Sequence, residues 1–377
     1  MPLGDSPVSD TAIRLVLAGI GGCASSFVQA VIQDRAEGGP ANGLMHEKVG
    51  GYRLGDVTFV AAFDVDALKV GLDLGEAIHT GRTAAVRHVD VPPLDLVVRA
   101  GPQLDGLDGV LGTAVEPHPD VAGATEEALV AAIAEARPDV VMCLLPTGST
   151  AAVAAYARAA AEAGAAFINA TPEPVANDPQ LAALFAERGA VLLGDDLRSH
   201  LGATTLHTAL IELFQSRGVE VKDNYQLNVG GNTDFLNLSD PARSGSKQRS
   251  KRKALANAGI DSREVAAGPN GFVKHLGDRK VCFLRIEGES IIGAPVAMEV
   301  RLEVEDSPNA AAVLANAVRV AKCAADQGMV GVVDPVCAFL FKSPATGAKE
   351  SEALQDFQAF VRKAGEHHAR QTAPGAR

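Results

Sequence analysis

A chain of 377 residues that is 47% hydrophobic and 21% charged has the composition of a folded globular protein, is long enough for two domains, and is excluded from the intrinsically disordered class. A formal net charge of -12 disfavours broad binding to nucleic acid or anionic membranes, and the five scattered cysteines, Cys23, Cys143, Cys282, Cys323 and Cys337, contain no C-x-x-C pair for zinc, haem or a disulfide framework. With no signal-like segment or long apolar span, a cytoplasmic protein with reduced thiols is expected.

In chain order, residues 1–10 read as a disordered lead. The apolar run IRLVLA at 13–18 stops at Gly19, Ile20, Gly21 and Gly22, and residues 25–31 follow as a helix, giving strand, glycine turn and helix. A second buried strand at 57–63 ends in Asp64, after a glycine-rich stretch over 33–56. Helix 126–135, strand 139–145, helix 151–163 and strands at 166–169 and 190–193 continue the alternation, which predicts a parallel sheet with helices on both faces. Beyond Asp196 the pattern changes. A long amphipathic helix at 203–215 precedes two runs, 279–287 and 295–305, that alternate apolar and polar residues as half-buried antiparallel strands do. A helix at 308–326 and a charged tail with a helix over 351–363 complete the chain.

Gly19, Gly21 and Gly22, with Cys23 and Ala24 behind them, sit where a strand turns into a helix, so their N–H groups would face a pyrophosphate. A bland tight turn is the alternative, since Ala24 or Ser25 stands where a third glycine is usual. Asp64, at the end of the next strand, suits a ribose 2′-hydroxyl, and Asp66 in place of a cation disfavours a 2′-phosphate, so NAD is expected rather than NADP. Thr147, Gly148 and Asn169 fall at later strand ends, where such sheets bind ligands and where ordinary loops also occur. Asp195 and Asp196 close the last strand of the first half and can equally cap the helix that starts near Ser199.

The segment NVGGNTDFLN at 228–237 offers glycines for close backbone approach and amides suited to hydroxyls or phosphate, with Asn228, Gly231, Asn232 and Asp234 as candidate substrate ligands. Six cations follow within an acidic chain: Arg243, Lys247, Arg249, Lys251, Arg252 and Lys253. Their mutual repulsion calls for an anionic ligand, and a sugar phosphate fits the combination. Lys247 and Lys251, spaced i, i+4, share a face if the segment is helical. Lys280, which follows Asp278, and Lys342, at the end of an apolar run, can be catalysts or snorkelling charges, and Asp306 a partner for a lysine or a helix cap. His200, His207 and His275 form no metal spacing, so no metal ligand is assigned.

Along nearly the whole chain, AGIGGCASS (18–26), FVAAFDVD (59–66), GDD (194–196), GAT (202–204), DRK (278–280), DSPN (306–309) and KSP (342–344) resemble the myo-inositol-1-phosphate synthases, particularly their bacterial branch. The resemblance implies an α/β fold: a Rossmann-type doubly wound parallel sheet with an inserted α+β domain for catalysis and tetramerisation. It divides the chain into a dinucleotide-binding domain, 1–200 completed by 311–377, and an inserted domain, 201–310. It implies NAD as cofactor and a homotetramer, with Asp196 near the nicotinamide, Ser199 at the substrate phosphate, and Lys247, Lys251, Lys280 and Lys342 holding phosphate and stabilising enolate and alkoxide charge. Arg198, where lysine is common, and Gly22, where an amide residue is common, depart from the family pattern.

The reaction implied is redox-neutral cyclisation of D-glucose 6-phosphate to 1L-myo-inositol 1-phosphate. Arg198, Gly22 and the altered stretch 239–244 leave open a paralogue that makes a five-membered cyclitol phosphate from fructose 6-phosphate. A net dehydrogenase and a non-catalytic dinucleotide sensor are the remaining rivals, and the sensor would not need the lysines. A cation requirement stays open, because some family members have one.

Overall fold

The structure is a computed structural model that describes residues 12–37, 43–257 and 266–372, so the expected disordered lead at 1–10 lies outside the described residues. Eleven strands are described: β1 (Ile13–Ala18), β2 (Val57–Asp64), β3 (Arg99–Ala100), β4 (Val140–Cys143), β5 (Ala166–Asn169), β6 (Val191–Leu193), β7 (Glu220–Gly230), β8 (Ala266–Phe272), β9 (Arg279–Glu289), β10 (Pro295–Glu305) and β11 (Gly331–Val332). The first sheet has the order β11-β6-β5-β4-β1-β2-β3, and every pairing in it is parallel.

The sequence explains the double covering. In β1, Leu15 and Leu17 point to one core cluster while Val16 and Ala18 point to the other, and in β5 Ile168 and Phe167 divide in the same way. A strand apolar on both faces loses more solvent-exposed surface when helices pack on each side than when one face stays wet. Helices Gly22–Glu37 and Asp306–Asp326 cover one face through Phe27, Val28, Val31, Val313, Leu314 and Val318. Helices Glu126–Ala136, Thr150–Glu162 and Pro179–Glu187 cover the other through Ile133, Tyr156 and Phe185. The strand order reverses between β1 and β4, which opens a crevice at their carboxyl ends.

The second sheet, β10-β9-β7-β8, lies on helix Ala203–Ser216, whose Ala203 packs with Cys282 and Leu284, and whose Ile211 and Phe214 pack with Ile286. Its outer face carries Phe283, paired with Leu227 on one side and Arg301 on the other. β9 and β10 are antiparallel, as expected, but β7 and β8 pair in parallel. A parallel pair needs a crossover, and helices Thr233–Leu238 and Pro241–Asn257 supply it. That crossover brings the cation-rich segment over the crevice.

Several boundaries differ from expectation. The first helix starts at Gly22 and runs on to Glu37, and the long helix starts at Asp306 rather than 308. The C-terminal helix extends over Glu350–Thr372 because Ala353, Phe357, Phe360 and Ala364 form a buried stripe inside a highly charged segment. Strand β7 was not expected, since its polar residues hide its alternation.

Candidate active site

A long cleft runs along the crevice. Its inner part is lined by Gly21, Gly22, Cys23, Ala24, Thr147 and Ser199, together with Lys247, Lys251, Lys280 and Lys342. An adjoining pocket continues past Gly19, Asp64, Asp66 and Tyr156. Gly22, Cys23 and Ala24 precede the first intrahelical bond, Ser25 N–H to the Gly21 carbonyl, so their N–H groups and the positive end of the helix face the cleft.

The four lysines, drawn from distant parts of the chain, converge here. Helix Pro241–Asn257 supplies Lys247 and Lys251 from one face, β9 supplies Lys280 at its start, and Lys342 follows helix Asp334–Leu340. Asp196 Oδ1 accepts from Lys247 Nζ at 3.1 Å and from Lys342 Nζ at 2.9 Å, while Lys342 also donates to the Leu197 carbonyl at 2.8 Å. Asp306 Oδ1 accepts from Lys280 Nζ at 3.0 Å. Asn232 Nδ2 donates to Asp278 at 3.2 Å and to Asp306 at 3.3 Å, and Asn232 Oδ1 accepts from Phe235 N–H, capping the short helix after it. Asp278 caps the long helix through Ser307 N–H at 3.0 Å, so Asp306 is left to hold the lysine.

The electrostatics separate the lysines into two kinds. Burial raises the Asp196 carboxyl, but Lys247 and Lys342 outweigh it and hold the group well below the usual carboxylate range. Burial lowers Lys247, yet Asp196 and Asp234 leave it above its ordinary value, a permanent cation. Lys342 is pulled down to about 8, by burial first and then by Lys247 and Lys280, against the pull of Asp196. Lys251 lies well below its ordinary value through burial and through the cations Lys280, Lys342 and Lys247.

Lys251, Gln226, Asn228 and Ser199 all line the cleft wall. Asn228 is fully buried, and donates to the Gly268 carbonyl at 2.9 Å. Beside these residues starts helix Ala203–Ser216, whose N-cap, Gly202, offers no side-chain hydrogen bond. Its first intrahelical bond is Leu206 N–H to the Gly202 carbonyl, so the N–H groups of Ala203, Thr204 and Thr205 remain for an anion. Asp234, also in the wall, accepts from Thr147 Oγ1 at 3.5 Å.

Four of the expected sets of site residues are engaged by the protein itself. Asn169 and Asp195 do not face the cleft: Asn169 Nδ2 donates to Asp195 at 2.8 Å, and the Asp195 carboxylate also accepts from Val175, Ala176 and Asn177, which ties down the wall segment Ala170-Thr171-Pro172 from behind. Gly148 also lies outside the cleft lining and donates its N–H to Glu173 at 2.8 Å. Gly231 makes room for the protein itself, since a Cβ there would stand 2.6 Å from Gly277 N and the Val273 carbonyl. The basic run is not uniformly a ligand site: Arg243 turns to backbone carbonyls, Lys253 binds Asn177 and the Pro344 carbonyl, and Arg249 and Arg252 are exposed.

Residues 202–307 match the family profile of myo-inositol-1-phosphate synthase. The inositol-3-phosphate synthase of Mycolicibacterium smegmatis is 42% identical over 358 residues, spanning 93% of this chain and 98% of that protein. The chain belongs to this family. The inositol-3-phosphate synthase of Corynebacterium glutamicum is 41% identical over 366 residues, 94% of this chain and 99% of that protein. The solved structure of Ari2 shares 36% identity and superposes with a TM-score of 0.76 over 95% of this chain and 99% of that one. The protein is thus an isomerase-type enzyme of the inositol-3-phosphate synthase family, which acts on a sugar phosphate.

Two features of this synthase fold escaped sequence reasoning. Lys69 is fully buried, and its Nζ donates to the Ile20 carbonyl in the glycine turn. Its only signal is its position three residues after Asp66. Asp64 is more committed than its place at a strand end suggests: Oδ2 accepts from Ile20 N–H at 2.6 Å and Oδ1 from Val65 and Asp66 N–H at 2.7 and 2.9 Å, so it shapes the turn as well as the pocket.

Proposed function

We propose that this enzyme carries out the NAD-dependent, redox-neutral cyclisation of D-glucose 6-phosphate to 1L-myo-inositol 1-phosphate. The observation that carries the proposal is the convergence of four lysines, two of them on Asp196 and one on Asp306, at the inner end of a dinucleotide-type cleft. A sensor needs no such cluster, and a net dehydrogenase needs no more than one acid or base.

The residues present fit NAD. The open N–H groups of Gly22, Cys23 and Ala24 suit its pyrophosphate, and the pocket at Asp64 and Asp66 suits a ribose without a 2′-phosphate. Bound there, NAD would supply a hydride acceptor for the C5 carbinol of the open-chain sugar and, reduced, a hydride donor for the C5 ketone, with no net redox change. The protein does the rest. Lys251, the N–H groups of Ala203, Thr204 and Thr205, and Ser199 hold the phosphate, which fixes the reacting carbons in the cleft. Lys342, the lysine whose protonation is balanced near neutrality, removes a C6 proton once C5 is a ketone. Lys247, held cationic beside Asp196, and Lys280, ion-paired with Asp306, stabilise the enolate oxygen and then the C1 alkoxide formed in the aldol step.

The fructose 6-phosphate alternative is not favoured. The relatives at 42% and 41% identity are inositol-3-phosphate synthases, and of the three departures behind that alternative, Arg198, Gly22 and 239–244, the first has its guanidinium paired with Glu350. The same proposal includes a division into 1–200 with 311–377 and an inserted 201–310, a homotetramer, and a cytoplasmic location in keeping with five free thiols. The test is incubation with glucose 6-phosphate and fructose 6-phosphate separately, with and without NAD, followed by NMR of the products. Inositol phosphate from glucose 6-phosphate without accumulating NADH is expected. NADH released in step with product, or product from fructose 6-phosphate alone, would overturn the proposal.

A further inference from the structure

Arg243 opens the helix that carries Lys247 and Lys251, one and two turns ahead of them, and is only 5% exposed. A buried guanidinium has five N–H donors to satisfy, and here they meet backbone carbonyls. Nε donates to Asp108 O at 3.0 Å, Nη2 to Asp105 O at 2.8 Å, Gly106 O at 3.2 Å and Asp108 O at 2.8 Å, and Nη1 to Thr147 O at 3.3 Å. These carbonyls come from two loops that wall the cofactor side. Gly106 and Leu107 line the outer pocket, and Thr147 lines the inner cleft. The fit is close: Gly148 has φ +88°, and a Cβ on it would stand 2.4 Å from Arg243 Cδ. Thr147 O also accepts from Asn237 Nδ2 at 2.8 Å, so the crossover is fastened there twice.

We propose that Arg243 is a positioning residue that makes the placement of Lys247 and Lys251 depend on the arrangement of the cofactor-side loops, and thereby couples cofactor binding to sugar-phosphate binding. It rests on the function proposed above. The physical reason is geometric. A guanidinium reads the relative position of four carbonyls at once, whereas a single charge reads only one. If a bound dinucleotide orders the loops at 105–108 and 147, the lysine helix is ordered with them, and phosphate held by Lys251 returns the favour by linkage.

The test measures NAD affinity by calorimetry on the full chain, with and without glucitol 6-phosphate, a reduced sugar phosphate that has no aldehyde to cyclise. Wild-type protein is expected to bind NAD at least roughly fivefold more tightly when glucitol 6-phosphate is present, within the usual range of coupling between sites. In R243M that factor should fall to near one and kcat by roughly tenfold or more, while each ligand alone keeps most of its affinity. In R243A, which leaves the space open, added methylguanidinium should restore part of the coupling, which a loss of stability alone would not allow. If R243M does not fold, R243K, which keeps the charge but reaches fewer carbonyls, should show a partial loss of both coupling and kcat. A folded variant with wild-type coupling, or a wild-type protein that binds both ligands without coupling, overturns the role of Arg243. A wild-type protein that binds no NAD overturns the proposed function instead.

Discussion

Lys342 and Lys247 share one carboxylate oxygen of Asp196, yet they are set apart by their surroundings. Lys342 is drawn down to about 8, whereas Lys247 is raised, so the first can exchange a proton and the second cannot. Because the neutral form of Lys342 is the base, its population grows as pH rises through about 8. The kcat/KM profile should therefore climb toward that pH and level off above it, and K342R should lose the climb along with most of its activity. K342M and K280M should each lower kcat by roughly a hundredfold or more while NAD binding survives, the scale of losing one proton-transferring or oxyanion-stabilising group. Wild-type kcat in either variant would remove the mechanism's support. Lys251 makes a different prediction. It is held well below its ordinary value by burial and by neighbouring cations, and a docked phosphate dianion would raise it, so binding of glucose 6-phosphate should take up a proton at a pH between its free and its ligand-bound values. Calorimetry in buffers of different ionisation enthalpy should show that uptake in the wild type and none in K251M, whose KM should rise as its kcat falls.

At the scale of elements, the cation-rich helix Pro241–Asn257 shows how far a local pattern can be read. The i, i+4 spacing of Lys247 and Lys251 placed both on one face, and the structure directs that face into the cleft. Arg243, four residues before Lys247, looks like part of the same charge run, but its partners are carbonyls more than ninety residues away in sequence, which no local pattern encodes. The glycines at 230 and 231 looked like a ligand loop for a similar reason. Glycine marks close approach of something, and here the Phe235 ring approaches Gly230 and the Val273–Gly277 turn approaches Gly231. Gly231→Ala should push against that backbone and cost about 1–3 kcal/mol of stability, measured by denaturant unfolding, as overpacking does. Unchanged stability would mean that the turn can move aside, leaving Gly231 free to serve a ligand after all.

At the scale of the molecule, one sheet is covered on both faces and the other on one face only. On the outer face of the second sheet Phe283 remains 43% exposed between Leu227 and Arg301, and the β9–β10 turn presents Ile291 at 81% and Ile292 at 96% exposure. Apolar side chains on a sheet face gain by meeting another copy, in keeping with the proposed tetramer. Light scattering at micromolar concentration should give a tetramer, and F283E should shift it toward smaller species. A monomeric wild type would contradict the assembly.

The doubly wound sheet was legible because burial on both faces leaves its mark within each strand, as in the Leu15, Val16, Leu17 and Ala18 succession, and the glycine turn follows directly on that run. The lysines that matter were also legible as residue types at their positions. Which carboxylate meets which lysine was not, since Asp196 is 51 residues from Lys247 and 146 from Lys342. Nor was the inward turn of Asn169 and Asp195, which sit at strand ends where a side chain can face either the cleft or the wall behind it. Periodicity is a property of neighbours along the chain, so sequence carries it. The pairing of buried charges is decided by which distant loops the packed core brings within 3 Å or so of each other, and only the tertiary structure holds that choice.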